Sequence, residues 1–355
     1  MIKLNRIILA LILSAPLFGA CGEDAMSDSS GNGSEFNTPL HIKRAGLNPK
    51  NNTRASSLND NTSFGSGDSI GISVINADGS TTNYNRINVK YVSSGVLPSQ
   101  TWSTDNAIGL GRAAAHVSAY HPYHEGADPT ALPVNCSNGI DWLYAVYQTW
   151  NGFSTLDYTA PDVSIELQHA QAVFIIKLVN QGYIFDPTAF PTPKTGVISH
   201  VGIGSDPVDH VFGRKGILNS TDSTYTNITD TIAETIPTGD PRVVPNYNTG
   251  PTYSAIDTLV IDTFLVIPIE DPAFKDGKIR FTLIIDGEPK TAETSIRSIE
   301  RGKIYTFTLK MKDESGPVLV IDDKEGNGVE ITPWNDTTTL SPVIMPELWW
   351  TVVGP

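Results

Sequence analysis

The stretch Lys278-Ile-Arg-Phe-Thr-Leu-Ile-Ile285, closed by Asp286-Gly287, decides the fold class. Apolar residues stand at every second position, which is the period of a β-strand with one buried face. Asp-Gly is a preferred pair for the tight turn between antiparallel strands. The stretch therefore predicts a strand that ends in a turn.

The same pattern recurs on both sides of this stretch, and no window shows helical periodicity of useful length. Further strands are predicted over residues 68–74, 87–92, 102–108, 113–120, 140–146, 163–168, 172–179, 197–203, 211–218, 258–269 and 303–311. We expect 163–168 and 172–179 to pair with each other, and 318–321 to form a hairpin with 329–331. Residues 219–230 are rich in Ser, Thr and Asn and predict a long loop. The fold class is therefore all-β.

Proline marks the division of the chain into domains. Residues 186–196 hold its densest proline stretch, and proline cannot donate a hydrogen bond to a strand ladder. Two β-sandwich domains in series are predicted, over residues 55–188 and 189–337.

The N-terminus predicts export. Residues 7–18 form an apolar run, well short of the about 20 residues that cross a bilayer, so residues 1–20 indicate a secretory signal. Phe18-Gly-Ala-Cys21 resembles a bacterial lipobox, in which Cys21 is lipidated; the alternative is an ordinary signal peptide with a chance cysteine. Glu23-Asp24 resembles the surface-export tags of Gram-negative lipoproteins.

Residues 21–54 are predicted to form a tether followed by one strand. Residues 25–35 are polar and flexible in composition, whereas Leu40 and Ile42 alternate with polar neighbours and predict a half-buried strand over 36–47. Arg44 and Arg54 lie in loop-like sequence of the kind that proteases cut most readily.

Composition narrows the function. The net charge of −14 and pI of about 4.8 argue against a nucleic-acid partner, because no basic face is available to meet phosphates. The strongly negative net charge suits a soluble protein on the outer side of a cell. The chain has two cysteines, so lipidation of Cys21 leaves Cys136 without a disulfide partner, as a buried residue or a free surface thiol.

The sequence carries weak signals for catalysis or metal binding. His116, His121 and His124, with Glu125 and Asp128, are zinc-ligand types, but their spacing matches no helical zinc motif. The chain has no Gly-x-Ser-x-Gly elbow. We expect a protein that is not an enzyme and holds neither a metal nor a cofactor.

Two apolar regions are candidate binding surfaces. Aromatic residues between 142 and 153 either fill a core or, with Trp142, Tyr144 and Trp150 exposed, bind sugar rings. The tail, residues 338–355, is unusually apolar for a soluble surface. It either packs back as a last strand or adds as a strand to another molecule, with alternate side chains in pockets: Val343, Met345, Leu348, Trp350 and Val352.

Several short motifs, taken in order, resemble the fimbrillin family. They are Thr53-Arg-Ala55, Gly67-Asp-Ser-Ile-Gly-Ile72, Val117-Ser-Ala-Tyr-His-Pro-Tyr123, Gln168-His-Ala170, Arg301-Gly-Lys-Ile-Tyr305 and Ile331-Thr-Pro-Trp334. Members of this family are lipoprotein precursors of type V pili, built from two transthyretin-like β-sandwich domains. The resemblance covers the chain from the lipobox to Trp334.

The resemblance implies a route from precursor to pilus. The precursor is lipidated at Cys21 and carried to the outer membrane. An arginine-specific protease then cuts between Arg54 and Ala55, or alternatively between Arg44 and Ala45, and removes the N-terminal strand. Another pilin subunit fills the opened groove with a donor strand, and residues 338–355 of this chain serve as its own donor strand, as in a shaft subunit.

Two other interpretations stay open at this point. One is a tip or anchor component that keeps Cys21. The other is an uncleaved surface lipoprotein that binds glycans through Trp142, Tyr144 and Trp150. Either form brings the protein into contact with a ligand on a host or bacterial surface.

Overall fold

The computed structural model describes residues 38–47, 64–95, 99–148, 156–182, 185, 187–188, 194–206, 213–229, 232–235, 242–244, 258–269, 278–296, 298–313, 317–321 and 329–334. Its regular structure is almost entirely β-strand, with one short 3-10 helix at Cys136–Asn138. Within the described residues, no helix has the length and apolar character needed to cross a membrane. The all-β prediction is confirmed.

Among the residues that the structure describes, the first half of the chain holds eleven strands. They are β1 (Thr38–Pro39), β2 (His41–Leu47), β3 (Ser69–Asn76), β4 (Asn85–Ser94), β5 (Thr101–Ser103), β6 (Gly109–Leu110), β7 (Ala115–His121), β8 (Leu132–Asn135), β9 (Leu143–Gln148), β10 (Asp162–His169) and β11 (Ala172–Asn180).

The described part of the second half holds eleven more. They are β12 (Val197–Asp206), β13 (Lys215–Leu218), β14 (Tyr225–Thr229), β15 (Ile232–Thr235), β16 (Arg242–Val243), β17 (Thr258–Val266), β18 (Lys278–Ile285), β19 (Glu288–Ser295), β20 (Lys303–Asp313), β21 (Pro317–Ile321) and β22 (Val329–Pro333).

A seven-stranded sheet forms the N-terminal half, in the order β2-β10-β9-β7-β3-β4-β5, beside a small β1-β6 pair. β10 alternates strictly between buried and half-buried residues, because one face of this sheet packs on the core and the other faces outward. The buried side chains that this sheet encloses, from Leu40 to Leu167, are here called the N-terminal core.

Two sheets enclose a second cluster, here called the C-terminal core, which runs from Ala172 to Met311. One sheet has the order β17-β11-β20-β21, with β22 also paired to β20; the other has the order β15-β12-β18-β19, with β16 also paired to β12. The aromatic rings of Phe174, Phe281 and Phe307 meet between the sheets at centroid distances of 4.7–4.8 Å. Rings in this range pack favourably, so this is a well-filled sandwich interior.

The predicted Asp-Gly turn joins β18 to β19 and also holds the chain that enters β12. The Asp286 carboxylate accepts hydrogen bonds from the backbone N–H groups of Thr195, Gly196 and Val197 and from the Thr195 hydroxyl, at 2.8–3.2 Å. Burial by itself raises the pKa of Asp286, but these four donors stabilise the carboxylate and the net pKa lies below its usual value.

A three-stranded sheet, β14-β13-β8, connects the two halves, because β8 comes before residue 170 and β13 and β14 come after it. Beneath it lies a third cluster, here called the bridging core: Tyr120, Leu132, Val134, Cys136, Trp142, Tyr144, Ala170, Leu218 and Ile267. Gln171, fully buried, accepts from Trp142 N–H at 2.8 Å and donates to the Ile140 carbonyl at 3.0 Å. Such satisfied buried polar groups fix how the halves meet.

The prediction that residues 163–168 and 172–179 pair is wrong. β10 pairs with β2 and β9, whereas β11 pairs with β17 and β20 in the other large sheet. The chain therefore passes between the two large cores at Ala170-Gln171, ahead of the proline stretch that predicted the boundary. Alternation identifies a strand but carries no information on its partner.

The predicted hairpin of 318–321 with 329–331 is also wrong, since β21 and β22 each pair with β20, one along each half of its length. β8, β14, β15, β16 and β19 were not predicted from the sequence. β14 lies in the predicted 219–230 loop, and β8 and β19 are too polar or too short for a clear alternation. The two-domain, transthyretin-like arrangement stays a prediction.

Candidate functional site: the N-terminal edge strand

The predicted N-terminal strand exists, and it forms one edge of the seven-stranded sheet. β2 runs parallel to β10, with His41 opposite Asp162 and Leu47 opposite Leu167, and the register shifts by a bulge between Val163 and Ser164. β2 also approaches β5, the other edge of the same sheet. The two edge strands of this sheet, β2 and β5, therefore lie close to each other.

The inner face of this segment completes the N-terminal core. Leu40, Ile42 and Ala45 are buried, with Ile42 at 7% exposure and Ala45 at 0%. The Leu40 N–H donates to the Ile108 carbonyl at 2.8 Å, so the segment is also tied to the β6 side of the core. Fully burying a side chain such as Leu or Ile stabilises by about 1.5–3 kcal/mol, which makes this segment an integral part of the core.

The outer face of β2 is basic and meets an acidic strand. Lys43 Nζ lies 2.7 Å from an Asp162 carboxylate oxygen, and His41 Nδ1 lies 3.4 Å from the other. The hydrogen bond from Lys43, with smaller contributions from His41, holds the pKa of Asp162 below its usual value. Glu166, opposite Gly46, is the next acidic residue on the outward face of β10.

The two predicted cleavage points differ in what the structure says of them. Arg44 is half-buried within β2, and Ala45 after it is fully buried and paired with Ile165. Proteases bind an accessible, extended segment, so the Arg44-Ala45 bond is shielded while β2 is in place. Arg54 and Ala55 lie outside the described residues, as does Cys21.

The aromatic residues offered as a glycan surface are core residues where they are described. Trp142 is 3% exposed and stacks between Tyr120 and His124, at ring distances of 6.3 and 5.1 Å. Tyr144 is 1% exposed, and its hydroxyl accepts a 2.6 Å hydrogen bond from Arg301. Neither ring is free to stack on a sugar; Trp150 lies outside the described residues.

The histidine cluster is dispersed by the fold. His121 Nδ1 contacts the Ser69 carbonyl at 3.0 Å and its ring meets Phe64, while His124 stacks on Trp142. The described part of the chain contains no group of three or more His, Cys, Asp or Glu residues placed to hold a metal ion. Cys136 is a free, buried thiol whose pKa is raised to about 12 by burial, so it is the buried residue and not the reactive surface thiol.

The last described residue lies at the end of the strand that holds β2. Trp334 stacks face to face on His169, at a ring distance of 3.8 Å, and His169 follows the β2-paired part of β10 by two residues. His169 Nδ1 lies 2.9 Å from Asp141, which orients the ring. Trp334 therefore lies close to one end of the β2 position, and the predicted donor residues of the tail lie outside the described residues.

Comparison with known proteins agrees with this architecture. A family model described as fimbrillin-like matches residues 53–334. The chain belongs to the fimbrillin-like family. The resemblance read from short motifs is thereby confirmed, and the family match begins just after the segment that contains β2.

Solved structures similar to this chain include one that shares its fold. A candidate cell adhesion protein of Bacteroides ovatus shares 16% identity with a TM-score of 0.50, over 84% of this chain and 98% of that chain. A second candidate cell adhesion protein, from Bacteroides uniformis, shares 15% identity with a TM-score of 0.48, over 83% of this chain and 98% of that chain. A fimbrial protein of Bacteroides vulgatus shares 14% identity with a TM-score of 0.45, over 84% of this chain and 100% of that chain. No curated protein matches the chain in sequence.

Sequence reasoning missed the ion pairs between β2 and β10. A signal was present, because residues 36–47 carry Lys43 and Arg44 and no acid in a chain with 38 acidic and 24 basic residues. The strand that those charges would meet was not readable, since β10 follows β2 by more than 100 residues.

Proposed function

We propose that this fimbrillin-like protein is a structural subunit of a cell-surface pilus that mediates adhesion. The family supports this directly, and the fold is shared with a protein described as a candidate cell adhesion protein. The precursor enters the export pathway through residues 1–20, is lipidated at Cys21 and reaches the outer membrane.

The observation that carries the proposal is the position of β2. A strand from outside the family-matched region completes the core of the matched region. It is bound along a sheet edge by its parallel pairing with β10. Its covalent link to β3 runs through residues 48–63. A cut in that segment would leave β2 held by non-covalent contacts alone.

Maturation then follows by cleavage between Arg54 and Ala55. The alternative Arg44-Ala45 bond is disfavoured, because Ala45 is fully buried against β10. Loss of β2 exposes the apolar surface covered by Leu40 and Ile42 and leaves the β10 backbone unpaired on one side. Such an open edge strongly favours the addition of another strand.

The donor is the tail of a neighbouring subunit. Residues 338–355 supply apolar side chains at two-residue spacing in two sets, Val343 with Met345 and Leu348 with Trp350 and Val352, to take the places of those of the lost strand. Each subunit would then accept one strand and give one, which builds a chain of subunits. The protein acts without a cofactor and has other pilin subunits as its partners.

Limited digestion with an arginine-specific protease tests maturation. The protein starting at residue 22 should be cut after Arg54 and shift to higher oligomers by size-exclusion chromatography with light scattering. Arg54→Ala should stay intact and monomeric, and the matched Arg44→Ala protein should behave as the wild type. A cut wild-type chain that keeps β2 and stays monomeric would contradict the proposal.

Deletion of residues 340–355 tests the donor strand. The truncated protein should still be cut after Arg54 and still accept a strand, but it should not form polymers with itself. Normal polymers from the truncated chain would refute the role of the tail. Cleavage with polymerisation only onto other subunits would assign the chain to the tip of the pilus, and retention of Cys21 in the assembled pilus would assign it to the anchor.

A further inference from the structure

The outward face of β10 is acidic beside the basic residues of β2, and this charge bears on which strand can replace β2. The outward face of β10 presents Asp162 and Glu166, and Asp162 holds both Lys43 and His41 of β2. Residues 36–47 carry two lysine or arginine residues and no acid, whereas residues 338–355 carry Glu347 and no lysine or arginine. The strand now in place and the chain's own tail therefore have opposite charge.

We propose that the acidic face of β10 favours an incoming strand that carries a cation at the position of Lys43, so that the tail of a second copy adds but binds less tightly than the basic strand of an unlike subunit. This inference rests on the proposed strand exchange and names the kind of partner. The occupant is a β-strand with apolar side chains at the positions of Leu40, Ile42 and Ala45 and a basic side chain beside Asp162.

The geometry explains how the selection works. Apolar pockets on the inner face accept many side chains of similar size, so they bind strongly and discriminate weakly. The outward groups discriminate, because a cation regains the 2.7 Å contact with Asp162, whereas a neutral residue leaves the carboxylate without that partner. An acidic residue such as Glu347, brought beside Asp162 and Glu166, adds repulsion, and specificity commonly combines an attraction with a repulsion.

Solvent exposure sets the size of the effect. The Asp162 and Lys43 side chains are 39% and 65% exposed, so a single pair changes affinity by a modest factor. We expect loss of the cation to weaken binding about threefold to fivefold at low salt, with a smaller difference at high salt. Along a growing polymer, a factor of this size at each joint is enough to bias which subunit follows which.

Peptide displacement tests the inference on the full chain. The protein starting at residue 22, with a specific protease site in place of residues 51–54, is cut and mixed with a fluorescent peptide of residues 36–49. Unlabelled competitors are the same peptide, its Lys43→Gln form and a peptide of residues 338–355. We expect the unchanged peptide to compete best, the Lys43→Gln peptide about threefold to fivefold less well, and the tail peptide least well.

Asp162→Asn protein provides the matched control, because the side chain lies on the outward face of β10 and its replacement leaves the core intact. In this protein the unchanged and Lys43→Gln peptides should compete equally, and the tail peptide should gain. An Asp162→Lys protein should instead prefer a Lys43→Asp peptide, which shows that charge and not folding is measured.

Two outcomes separate the inference from the function on which it rests. A groove that takes both peptides equally, or that keeps the difference in Asp162→Asn, refutes the charge selection and leaves strand exchange standing. A cut protein that takes up no peptide at all refutes strand exchange, and the charge selection with it.

Discussion

Replacement of Ile42 by alanine should loosen β2 without disturbing the rest of the molecule. Ile42 is 7% exposed and belongs to the N-terminal core, opposite Val163. Truncation of a buried isoleucine to alanine costs about 2–5 kcal/mol, and a strand at a sheet edge can shift to fill part of the space. We therefore expect the free energy for opening β2 to fall by about 2–3 kcal/mol.

Hydrogen exchange measures this opening directly. Amide protons of β2 exchange when the strand detaches, so exchange over residues 40–47, followed by mass spectrometry, should accelerate about 30- to 150-fold. Exchange in β12 and β18, which line the other core, should stay unchanged. Ile87→Ala is the matched control, because Ile87 lies in β4 with 46% of its surface exposed, and it should leave exchange in β2 unaltered.

The result has a second arm that tests the role given to β2. Once the chain is cut after Arg54, the Ile42→Ala protein should release β2 faster and exchange strands sooner than the wild type. Unchanged exchange over 40–47, or equal acceleration in β18, would refute the view that β2 is an independently opening strand held by its inner face.

Three other predictions test the frame around the site. Gly71→Ala should destabilise the protein by about 1–3 kcal/mol in urea unfolding, because a Cβ there would overlap the Tyr120 ring, while Gly204→Ala, with nothing within 4 Å, should have little effect. Asp286→Asn should be less stable than the wild type at pH 7. The pKa of Asp286 is lowered in the folded state, so its contribution is fully present above the unfolded pKa of about 3.9 and is lost as the pH falls from there through the lower pKa of the folded state. Cys136 should resist alkylation until the protein unfolds, as followed by peptide mass spectrometry, because burial raises its pKa to about 12.

Local pattern was a reliable guide to individual strands. Alternating apolar residues located β3, β12, β18 and β20 near their observed bounds, and Asp286-Gly287 located the turn after β18. This works because the two-residue repeat and the turn preferences act over a few neighbouring residues. Burial alternation was less informative for β11, in which nearly every residue is apolar.

Pairing lay beyond the reach of local pattern. β10 and β11 are separated by two residues, and proximity suggested a pair, yet they enter different sheets. Strand partners are chosen by which faces can be buried together across long separations in the chain. The buried state of Trp142 and Tyr144 was undecided in the sequence for the same reason, since an aromatic residue suits both a core and a binding surface.

The sequence by itself determined the strand-rich character of the chain, the family through its ordered motifs, and the basic nature of the N-terminal strand. These properties are written in residue types and short spacings. The tertiary structure alone decided that β2 lies in parallel against β10, that Lys43 meets Asp162, and that Ala45 is closed to solvent. Those are contacts between residues more than 100 positions apart, and only the packing of both faces around a common core brings them together.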